Sequence, residues 1–347
     1  MKKSKLSVLA GMTMVVVSSA ASAQMSASEV EPVTVENYNR AQTDVYFAGV
    51  VQSGGLGKFH HGRELAPPGQ QGIVRPNRDT LYSFVVIDFD AGPATITLPD
   101  AGKRYMGLQV VNEDQYTRAS YYGAGAHTLT RKTVGTRYAI AVVRFLVNFS
   151  SKDDVEQVHA LQDATKFRQK RLGAFEIPNW DQASLKKVRA ALLQLGTTIS
   201  NTRHMFGASE DRVDPVKHLI GSAILWGGNP EKDGIYLPTT PARNDGDVIY
   251  KLTIGEVPVN GFWSVTVYNK DGYLQPNPDH SYSVSSLTAK KNADEKVTIQ
   301  FGGCSGKVDN CLPITDGWNY TVRLFRPRQT IINDTWKFPK ASPVGPV

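Results

Sequence analysis

The stretch that decides the fold reads Arg75-Pro76-Asn77-Arg78-Asp79-Thr80-Leu81-Tyr82-Ser83. Two arginines, an asparagine and an aspartate stand directly before a β-run that continues to Phe89. A polar cluster at a strand entrance either ties down a turn through local hydrogen bonds or lines a pocket. The stretch therefore predicts the first strong strand of a β-domain and supplies the first candidate site residues.

The pattern on either side of this stretch predicts β-structure interrupted by helices. A helix capped by Thr34 precedes it, and residues 80–149 are β-branched and aromatic runs separated by turn clusters. Short strands at this spacing predict an antiparallel sandwich. The period becomes helical over residues 150–228, and the β pattern returns over residues 248–325. There, Asn269-Lys270-Asp271-Gly272 predicts a hairpin-type turn, because Asp-Gly suits a positive backbone φ.

The first residues have the composition of an export signal. Three lysines precede a short apolar core, residues 6–17, and Ala21-Ser22-Ala23 gives the small-x-small pattern that signal peptidase accepts. The apolar run is shorter than the roughly 20 residues of a membrane-spanning helix. We therefore expect cleavage after Ala23 and a periplasmic or secreted protein that starts at Gln24 without a stable membrane span. The alternative is an uncleaved N-terminal anchor.

The charge of the chain argues against nucleic acid as a partner. The formal net charge is +7, but the leader holds three lysines and no acid, so the mature chain carries +4. The remaining lysines and arginines are scattered, and the sequence contains no basic stripe or recognition motif. A mildly basic surface favours an anionic small molecule or an envelope polymer as the ligand.

The two cysteines, Cys304 and Cys311, are expected to pair, because oxidising compartments favour disulfides in exported chains. By the loop-entropy model a bridge across so short a loop contributes about 2 to 3 kcal/mol. Metal binding by this pair is not predicted, because two thiolates supply half of a site and no histidine lies nearby in sequence.

Standard catalytic and metal-binding motifs are missing from the sequence. It contains no Gly-x-Ser-x-Gly elbow, no His-Glu-x-x-His, no EF-hand and no Cys-x-x-Cys. The one adjacent histidine pair, His60-His61, is more typical of a hydrogen-bonded or solvated pair than of a metal site. We therefore expect no metal and no cofactor, and an enzyme built on this chain would not be a serine or zinc hydrolase.

Carboxylates supply the best case for chemistry. Asp79 opens the first strong strand, and Glu113-Asp114 closes a later one. If the two strands are neighbours, Asp79 and Asp114 meet at one sheet edge, where paired acids can act as general acid and base in the hydrolysis of a sugar linkage. The same pair could hold a cation. Alternatively, these residues only cap turn amides and form internal ion pairs.

These residues predict a polar cleft near the domain junction of a hydrolase or lyase. Asp79 and Asp114 would be its acid and base, Tyr82 a hydrogen-bond donor and Arg78 an anion or oxyanion clamp. The candidate ligand contacts are Asn77, Glu113, Tyr116, Trp263, Asn277 and Tyr282. Trp263 is either a wall for stacking on a sugar or aryl ligand or part of a sandwich core. The rival function is a non-catalytic envelope protein that binds a glycan, a lipid headgroup or a protein.

The sequence resembles exported bacterial proteins that carry paired DUF1254 and DUF1214 domains. The stretch from Arg75 to Ser83, Leu98-Pro99-Asp100 and Arg104-Tyr105 suggest the first domain. The second is suggested by Gly261-Phe262-Trp263-Ser264-Val265-Thr266-Val267-Tyr268 and by Asn310-Cys311-Leu312-Pro313. Members of this family carry loose labels such as cell envelope protein or hydrolase.

This resemblance implies a mainly β fold with two antiparallel β-sandwich domains, the C-terminal one jelly-roll-like, linked by a helical insert. On that basis we expect a signal peptide at residues 1–23 and a DUF1254-like domain with a leading helix at 24–149. A helical section at 150–230 and a DUF1214-like domain at 231–347 would follow.

Overall fold

The computed structural model describes residues 29–65, 67–69, 74–199, 201–304 and 308–344. The expected signal peptide and its cleavage site lie outside these residues. Within them the chain is mainly β, with six α-helices. None of the helices in this part of the chain is both long and apolar enough to cross a bilayer.

The elements follow the predicted order of β-structure, helices and β-structure. The first ten strands are β1 (Val30–Glu31), β2 (His60–Gly62), β3 (Thr80–Asp88), β4 (Ala94–Leu98), β5 (Met106–Asn112), β6 (Thr117–Tyr122), β7 (Gly125–Leu129), β8 (Tyr138–Leu146), β9 (Lys166–Gln169) and β10 (Asn179–Trp180). The last eight are β11 (Gly234–Thr239), β12 (Tyr250–Ile254), β13 (Trp263–Tyr268), β14 (Ser283–Ser285), β15 (Val297–Phe301), β16 (Cys311–Leu312), β17 (Asn319–Phe325) and β18 (Ser342–Pro343). The helices are α1 (Tyr38–Gln52), α2 (Arg131–Val134), α3 (Lys152–Ala164), α4 (Gln182–Gly196), α5 (Pro215–Ile224) and α6 (Gln329–Ile332).

The N-terminal half contains two facing antiparallel sheets. One has the strand order β2-β3-β8-β5-β6, and the other has the order β7-β4-β9. Strands β3 and β8 pair along their whole length, from Thr80 opposite Leu146 to Asp88 opposite Tyr138. The inward side chains of both sheets form one apolar core together with Val158 of α3. The antiparallel sandwich predicted from this part of the sequence is confirmed.

A helical layer covers the other face of the larger sheet. Phe47 of α1 packs against this face, and α1, α4 and α5 share a second apolar cluster. Asp181 caps α4, because its side chain accepts a hydrogen bond from the main-chain N–H of Ser184 at 2.8 Å. One segment of the expected helical section differs: β9 is a strand, because its alternation turns Phe167 into the core and the neighbouring cations outward.

The C-terminal half is a second sandwich, made of two four-stranded sheets. Their strand orders are β11-β17-β13-β14 and β16-β15-β12-β18. Every neighbouring pair is antiparallel except β15 and β16. Their inward faces share one apolar core, in which Trp318 and Phe301 are fully buried. The predicted disulfide between Cys304 and Cys311 is present beside β16.

The predicted turn after β13 connects the two sandwiches. Gly272 has φ of +81°, which is accessible to glycine at little cost. Its carbonyl accepts a hydrogen bond from the main-chain N–H of Arg75 at 2.8 Å. The polar stretch of the N-terminal unit is thereby fixed against a turn of the C-terminal unit.

Candidate functional site

The sheet β11-β17-β13-β14 buries a polar face between the two sandwiches. Ser264 and Thr266 of β13 point away from the apolar core, because side chains alternate along a strand. Thr321 and Arg323 of β17 stand opposite them in the ladder, and all four side chains are buried. We call this contact the domain seam: the entrance of β3, residues 75–83, packed on the polar side chains of β13, β14 and β17.

Arg323 is the centre of the domain seam, with only 4% of its surface exposed. Its Nη1 donates to Oγ1 of Thr266 at 3.0 Å. Its Nη2 donates to the hydroxyl of Tyr268 at 2.7 Å and to the main-chain carbonyl of Arg75 at 2.9 Å. The Tyr268 hydroxyl in turn donates to the carbonyl of Pro76 at 2.9 Å. A buried charge is tolerated only when its hydrogen bonds are made, so Arg323 requires the N-terminal stretch to be in place.

Asp79 is buried in the same seam. Its Oδ1 accepts a hydrogen bond from the Ser283 hydroxyl at 2.7 Å, and its N–H donates to Oδ1 of Asn77 at 2.7 Å. Burial raises the pKa of Asp79, while the charge of Arg323 and the hydroxyls of Ser264 and Ser283 oppose that rise. Ser264 acts by proximity, since neither its Oγ nor Oδ2 of Asp79 completes a well-formed hydrogen bond within the described residues. These contacts tie Asp79 to the C-terminal unit.

Two further predicted residues support the same turn. Nδ2 of Asn77 donates to Oγ1 of Thr80 and to the hydroxyl of Tyr82, both at 3.0 Å. The ring of Tyr82 stacks on Phe84 with the ring centres 5.6 Å apart. Asn77 and Tyr82 thus fix the shape of the strand entrance.

The loop from Asn277 to Tyr282 reaches this entrance. The guanidinium of Arg78 lies 5.0 Å from the centre of the Tyr282 ring, which is a cation–π contact. Asn277 instead closes its own loop, because its Oδ1 accepts from the N–H of Ser281 at 3.1 Å. The two segments meet as a packed contact between the units.

The structure separates the two acids that were expected to meet. Val147, just beyond β8, donates its N–H to the carbonyl of Asp79 at 3.0 Å. Asp114 follows β5, whose last residue Asn112 stands opposite Ala139 at the other end of β8. These ends are about 25 Å apart at the usual rise per residue. Strands β3 and β5 both run antiparallel to β8. The first residue of β3 and the last residue of β5 therefore lie at opposite ends of the sheet. The prediction that Asp79 and Asp114 form one acid pair is wrong.

The Glu113-Asp114 turn contacts helix α1 instead. Nε and Nη2 of Arg40 both donate to Oδ1 of Asp114, at 2.9 and 2.6 Å. Oε2 of the buried Glu113 accepts a hydrogen bond from the N–H of Tyr138 at 2.9 Å. Burial raises the pKa of Glu113, and this hydrogen bond and the charge of Arg40 oppose the rise. Asp114 thus ties α1 to the turn after β5, and Oε1 of Glu113 lies 3.9 Å from Nη1 of the same Arg40.

Asp44 of α1 adds a third carboxyl to this cluster and is almost fully buried. Its Oδ2 accepts a hydrogen bond from Nε1 of Trp180 at 2.9 Å, and its Oδ1 has no hydrogen-bond partner in the described part of the chain. Burial raises the pKa of Asp44 to about 7. The Trp180 bond and Arg40 oppose the rise, whereas the charges of Glu113 and Asp114 add to it.

Two aromatic residues predicted as ligand contacts pack against other side chains of the protein. Tyr116 stacks on His218 of α5 with the ring centres 4.7 Å apart. Trp263 is 7% exposed and belongs to the C-terminal core. For Trp263, the structure matches the alternative of a core residue and contradicts that of a stacking wall.

A groove opens at the junction of the two units, and its lining contains none of the residues predicted for a cleft there. Its volume is about 270 Å³. We call it the junction groove, and its lining residues are Gly102, Lys103, Arg104, Tyr105, Met106, Tyr122, Gly123, Asn260, Gly261 and Arg326. Gly261 permits the close approach, because a Cβ there would lie 2.6 Å from the carbonyl oxygen of Phe325 and 3.1 Å from Cδ2 of Tyr105.

Arg326 is the most distinctive residue of the junction groove. Its guanidinium carbon lies 4.3 Å from the centre of the Tyr122 ring. Its φ of +52° is rare for a side chain other than glycine and marks a strained position. Main-chain hydrogen bonds to Asp233 (3.0 Å) and from Asn260 (2.8 Å) hold this conformation. No carboxylate of the described residues lies within ion-pairing distance of the guanidinium.

The ring under Arg326 is held by a buried acid. Tyr122 donates its hydroxyl hydrogen to Oδ1 of Asp233 at 2.9 Å, and Ser120 donates to Oδ2 at 2.8 Å. Burial raises the pKa of Tyr122, so the phenol stays protonated and keeps donating. Arg104, by contrast, is already neutralised, because its Nη2 lies 2.5 Å from Oδ1 of Asp154. Asp233 therefore prepares a rigid aromatic platform and leaves the charge of Arg326 available.

The domain seam predicts a large loss of stability when Arg323 is changed. Arg323→Met leaves the Asp79 carboxyl, Thr266 and the Tyr268 hydroxyl without their cationic partner, so the free energy of unfolding should fall by about 3 to 5 kcal/mol. Arg328→Met, at an exposed arginine five positions later, is the matched control and should cost less than about 1 kcal/mol. Urea unfolding followed by tryptophan fluorescence measures both. Equal losses in the two variants would contradict the role of the seam.

The buried Asp44 predicts a dependence of stability on pH. Its pKa is higher in the folded state (about 7) than in the unfolded state (3.8), so the folded protein binds the proton more tightly between these values. The free energy of unfolding therefore loses up to about 4 kcal/mol from this group as the pH rises from about 4 to 7. Asp44→Asn should abolish that loss, and Asp247→Asn, on an exposed loop, should keep it. Urea unfolding at several pH values measures the free energy of unfolding of each variant. If this free energy changes with pH in parallel for the wild type and Asp44→Asn, the prediction is refuted.

Comparison with family models finds two domains of unknown function in the chain. The model described as "Protein of unknown function (DUF1254)" matches residues 56–141. The model described as "Protein of unknown function (DUF1214)" matches residues 238–329. The domain seam joins them, since residues 75–83 lie in the first match and Arg323 lies in the second. None of the curated sequences compared with the chain matches it.

Solved structures with a similar fold cover nearly the whole chain. The VPA0106 protein from Vibrio parahaemolyticus aligns with a TM-score of 0.67 and 16% identity, over 90% of this chain and 98% of its own. An uncharacterized protein from Burkholderia cenocepacia aligns with a TM-score of 0.52 and 12% identity, over 89% and 88%. At these identities the likeness concerns the fold alone. With both domain matches in one chain, the protein belongs to the family that combines a DUF1254 domain with a DUF1214 domain.

Proposed function

We propose that the protein is an exported envelope protein that binds an anionic group in the junction groove. The ligand would be a small anion or the anionic unit of an envelope polymer. The observation that carries this proposal is Arg326: a guanidinium on an aromatic platform, without a carboxylate partner, in a groove between two domains. Ligand sites occur preferentially at domain interfaces and use a few fixed polar groups.

Three features of the groove suit an anion. Arg326 offers a planar fork of donors that matches a carboxylate or a phosphate. Lys103 adds an exposed second cation at the rim, on the N-terminal unit. Tyr105 packs beneath the groove against Phe262 with the ring centres 5.0 Å apart, so an apolar contact across the junction supports the polar rim.

Binding is favoured over carboxylate acid-base catalysis. The two-carboxylate mechanism needs Asp79 and Asp114 within reach of one substrate, and the sheet holds them at opposite edges. Each is also engaged by the protein itself, Asp79 by Ser283 and Asp114 by Arg40. The non-catalytic alternative needs only a fixed cationic groove.

Export is the first expectation to test. Expressed at low level in a Gram-negative host, the full chain should be recovered from the periplasmic fraction with Gln24 as its first residue, because the small residues at 21 and 23 direct signal peptidase. Ala23→Leu should prevent processing and leave the larger precursor. Cell fractionation followed by N-terminal sequencing distinguishes the two forms. Recovery of the wild-type chain from the cytosol with residues 1–23 intact would overturn this part of the proposal.

Anion binding is the second expectation to test. Inorganic phosphate, glucuronate or polygalacturonate should raise the melting temperature of the mature protein saturably, whereas neutral glucose should not. Arg326→Gln should weaken this binding by about tenfold or more, as expected for the loss of charge-assisted hydrogen bonds. Arg212→Gln, at an exposed arginine of a distant turn, is the matched control and should bind like the wild type.

Thermal shift and titration calorimetry provide the readout. The proposal fails if none of the three anions binds or if Arg326→Gln binds as tightly as Arg212→Gln. It also fails if the wild-type protein binds glucose and glucuronate equally, because the cation would then play no part in recognition.

A further inference from the structure

Strand β9 forms an unusual basic edge of the N-terminal sandwich. Among the described residues it pairs with β4 alone, so its other edge is open. Lys166 and Arg168 point outward and are exposed, while Phe167 points into the core. On the same face of the sheet, the paired residues of the neighbouring strands β4 and β7 are uncharged: Thr95, Thr97, Ala126 and Thr128. The described part of this sheet face therefore carries cations and hydroxyls and no acid.

The positive charge continues beyond the end of the strand. Lys170 and Arg171 follow it directly, and both are exposed. Two of these cations donate hydrogen bonds to main-chain carbonyls, Lys166 to that of Asp163 at 2.7 Å and Arg171 to that of Asp90 at 2.9 Å. The acidic side chains of these two residues are paired elsewhere: Asp163 binds Arg63, and Asp90 binds Arg131 and Arg137. Four cations are thus left without a carboxylate partner among the described residues.

An apolar residue stands next to these cations. Leu172 has 61% of its surface exposed, the largest fraction of any leucine in the described part of the chain. A shallow groove of about 470 Å³ lies beside it, lined by Gly57, Pro93, Phe167, Arg168, Gln169 and Lys170. We call Lys166, Arg168, Lys170, Arg171 and Leu172, together with this groove, the basic edge.

Protection of the open edge of β9 from pairing with another chain explains only some of the residues in the basic edge. Lysine on an edge strand hinders pairing with another chain, and Lys166 serves that purpose. Lys170 and Arg171 lie past the strand, where no ladder remains to protect. An exposed leucine would not help to keep edges apart. A surface that combines unpaired cations with an exposed aliphatic side chain instead has the composition of a membrane-surface contact.

We propose that the basic edge docks the protein onto a bilayer rich in anionic lipid headgroups. The cations would attract the surface through their charge, and Leu172 would enter the boundary between headgroups and acyl chains. Each lysine or arginine near such a surface contributes about fivefold to the partition coefficient. This contact is separate from the junction groove, because no residue is shared between them.

Vesicle co-sedimentation of the mature protein tests the proposal. The wild type should bind phosphatidylglycerol-containing vesicles at about 0.1 M salt, bind pure phosphatidylcholine vesicles poorly, and be released at about 0.5 M salt because the charges are screened. The triple variant Lys166→Gln, Arg168→Gln and Lys170→Gln should bind about a hundredfold more weakly. Leu172→Ser should bind about tenfold more weakly, since the apolar contact is lost.

The matched control removes the same number of charges elsewhere. The control triple variant carries Lys290→Gln, Lys291→Gln and Lys296→Gln, at exposed lysines of the C-terminal unit. It should change vesicle binding less than about fivefold. All variants should melt like the wild type, because every altered side chain is exposed.

Three results would overturn the proposal. Equal losses in the two triple variants would show that net charge, rather than the basic edge, drives binding. Equal binding to both lipids would exclude recognition of the anionic headgroup. Binding to soluble dextran sulfate without binding to vesicles would identify a polyanion as the partner instead of a membrane surface.

Discussion

The arrangement of the two domains depends on one buried cation. Arg323 stands on a polar sheet face that water cannot reach, and part of its hydrogen-bonding capacity is filled only by carbonyls from residues 75 and 76. Burying such a face without partners would cost far more than an exposed ion pair gains. The N-terminal stretch is therefore required by the C-terminal sheet. The most polar sequence of the chain serves the contact between the domains.

The junction of the two domains contains two chemically different regions. In the domain seam, Asp79 and Arg323 are buried and bonded to other residues of the protein, so this region is suited to holding the two domains together. In the junction groove, Arg326 and Lys103 reach solvent, and Asp233 fixes the ring beneath the guanidinium. An open cation on a rigid platform is suited to binding. Because of this difference we place the proposed ligand in the junction groove, whereas the sequence predicted a site at residues 77–82 of the domain seam.

Local sequence predicted much of the fold and less of the candidate site. The strand that begins at Thr80, most of the helical section and the turn at Gly272 each depend on neighbours in sequence, and the structure confirms them. The separation of Asp79 and Asp114 depends instead on both flanking strands running antiparallel to β8, which composition does not reveal. The role of Arg326 could not be predicted from the sequence. It depends on a positive backbone φ and on a hydrogen bond to the main chain of Asp233, 93 positions earlier. The helical period likewise concealed β9, a short strand whose partner β4 lies far back in the chain.

Differential scanning calorimetry of the protein tests the central claim most directly. If the domain seam joins both sandwiches into one cooperative unit, the chain should unfold in a single transition whose calorimetric and van't Hoff enthalpies agree. Two separable transitions in the wild type, or a van't Hoff enthalpy near half of the calorimetric value, would show that the sandwiches unfold independently. That result would contradict the role assigned to Arg323 and the stretch from Arg75 to Ser83.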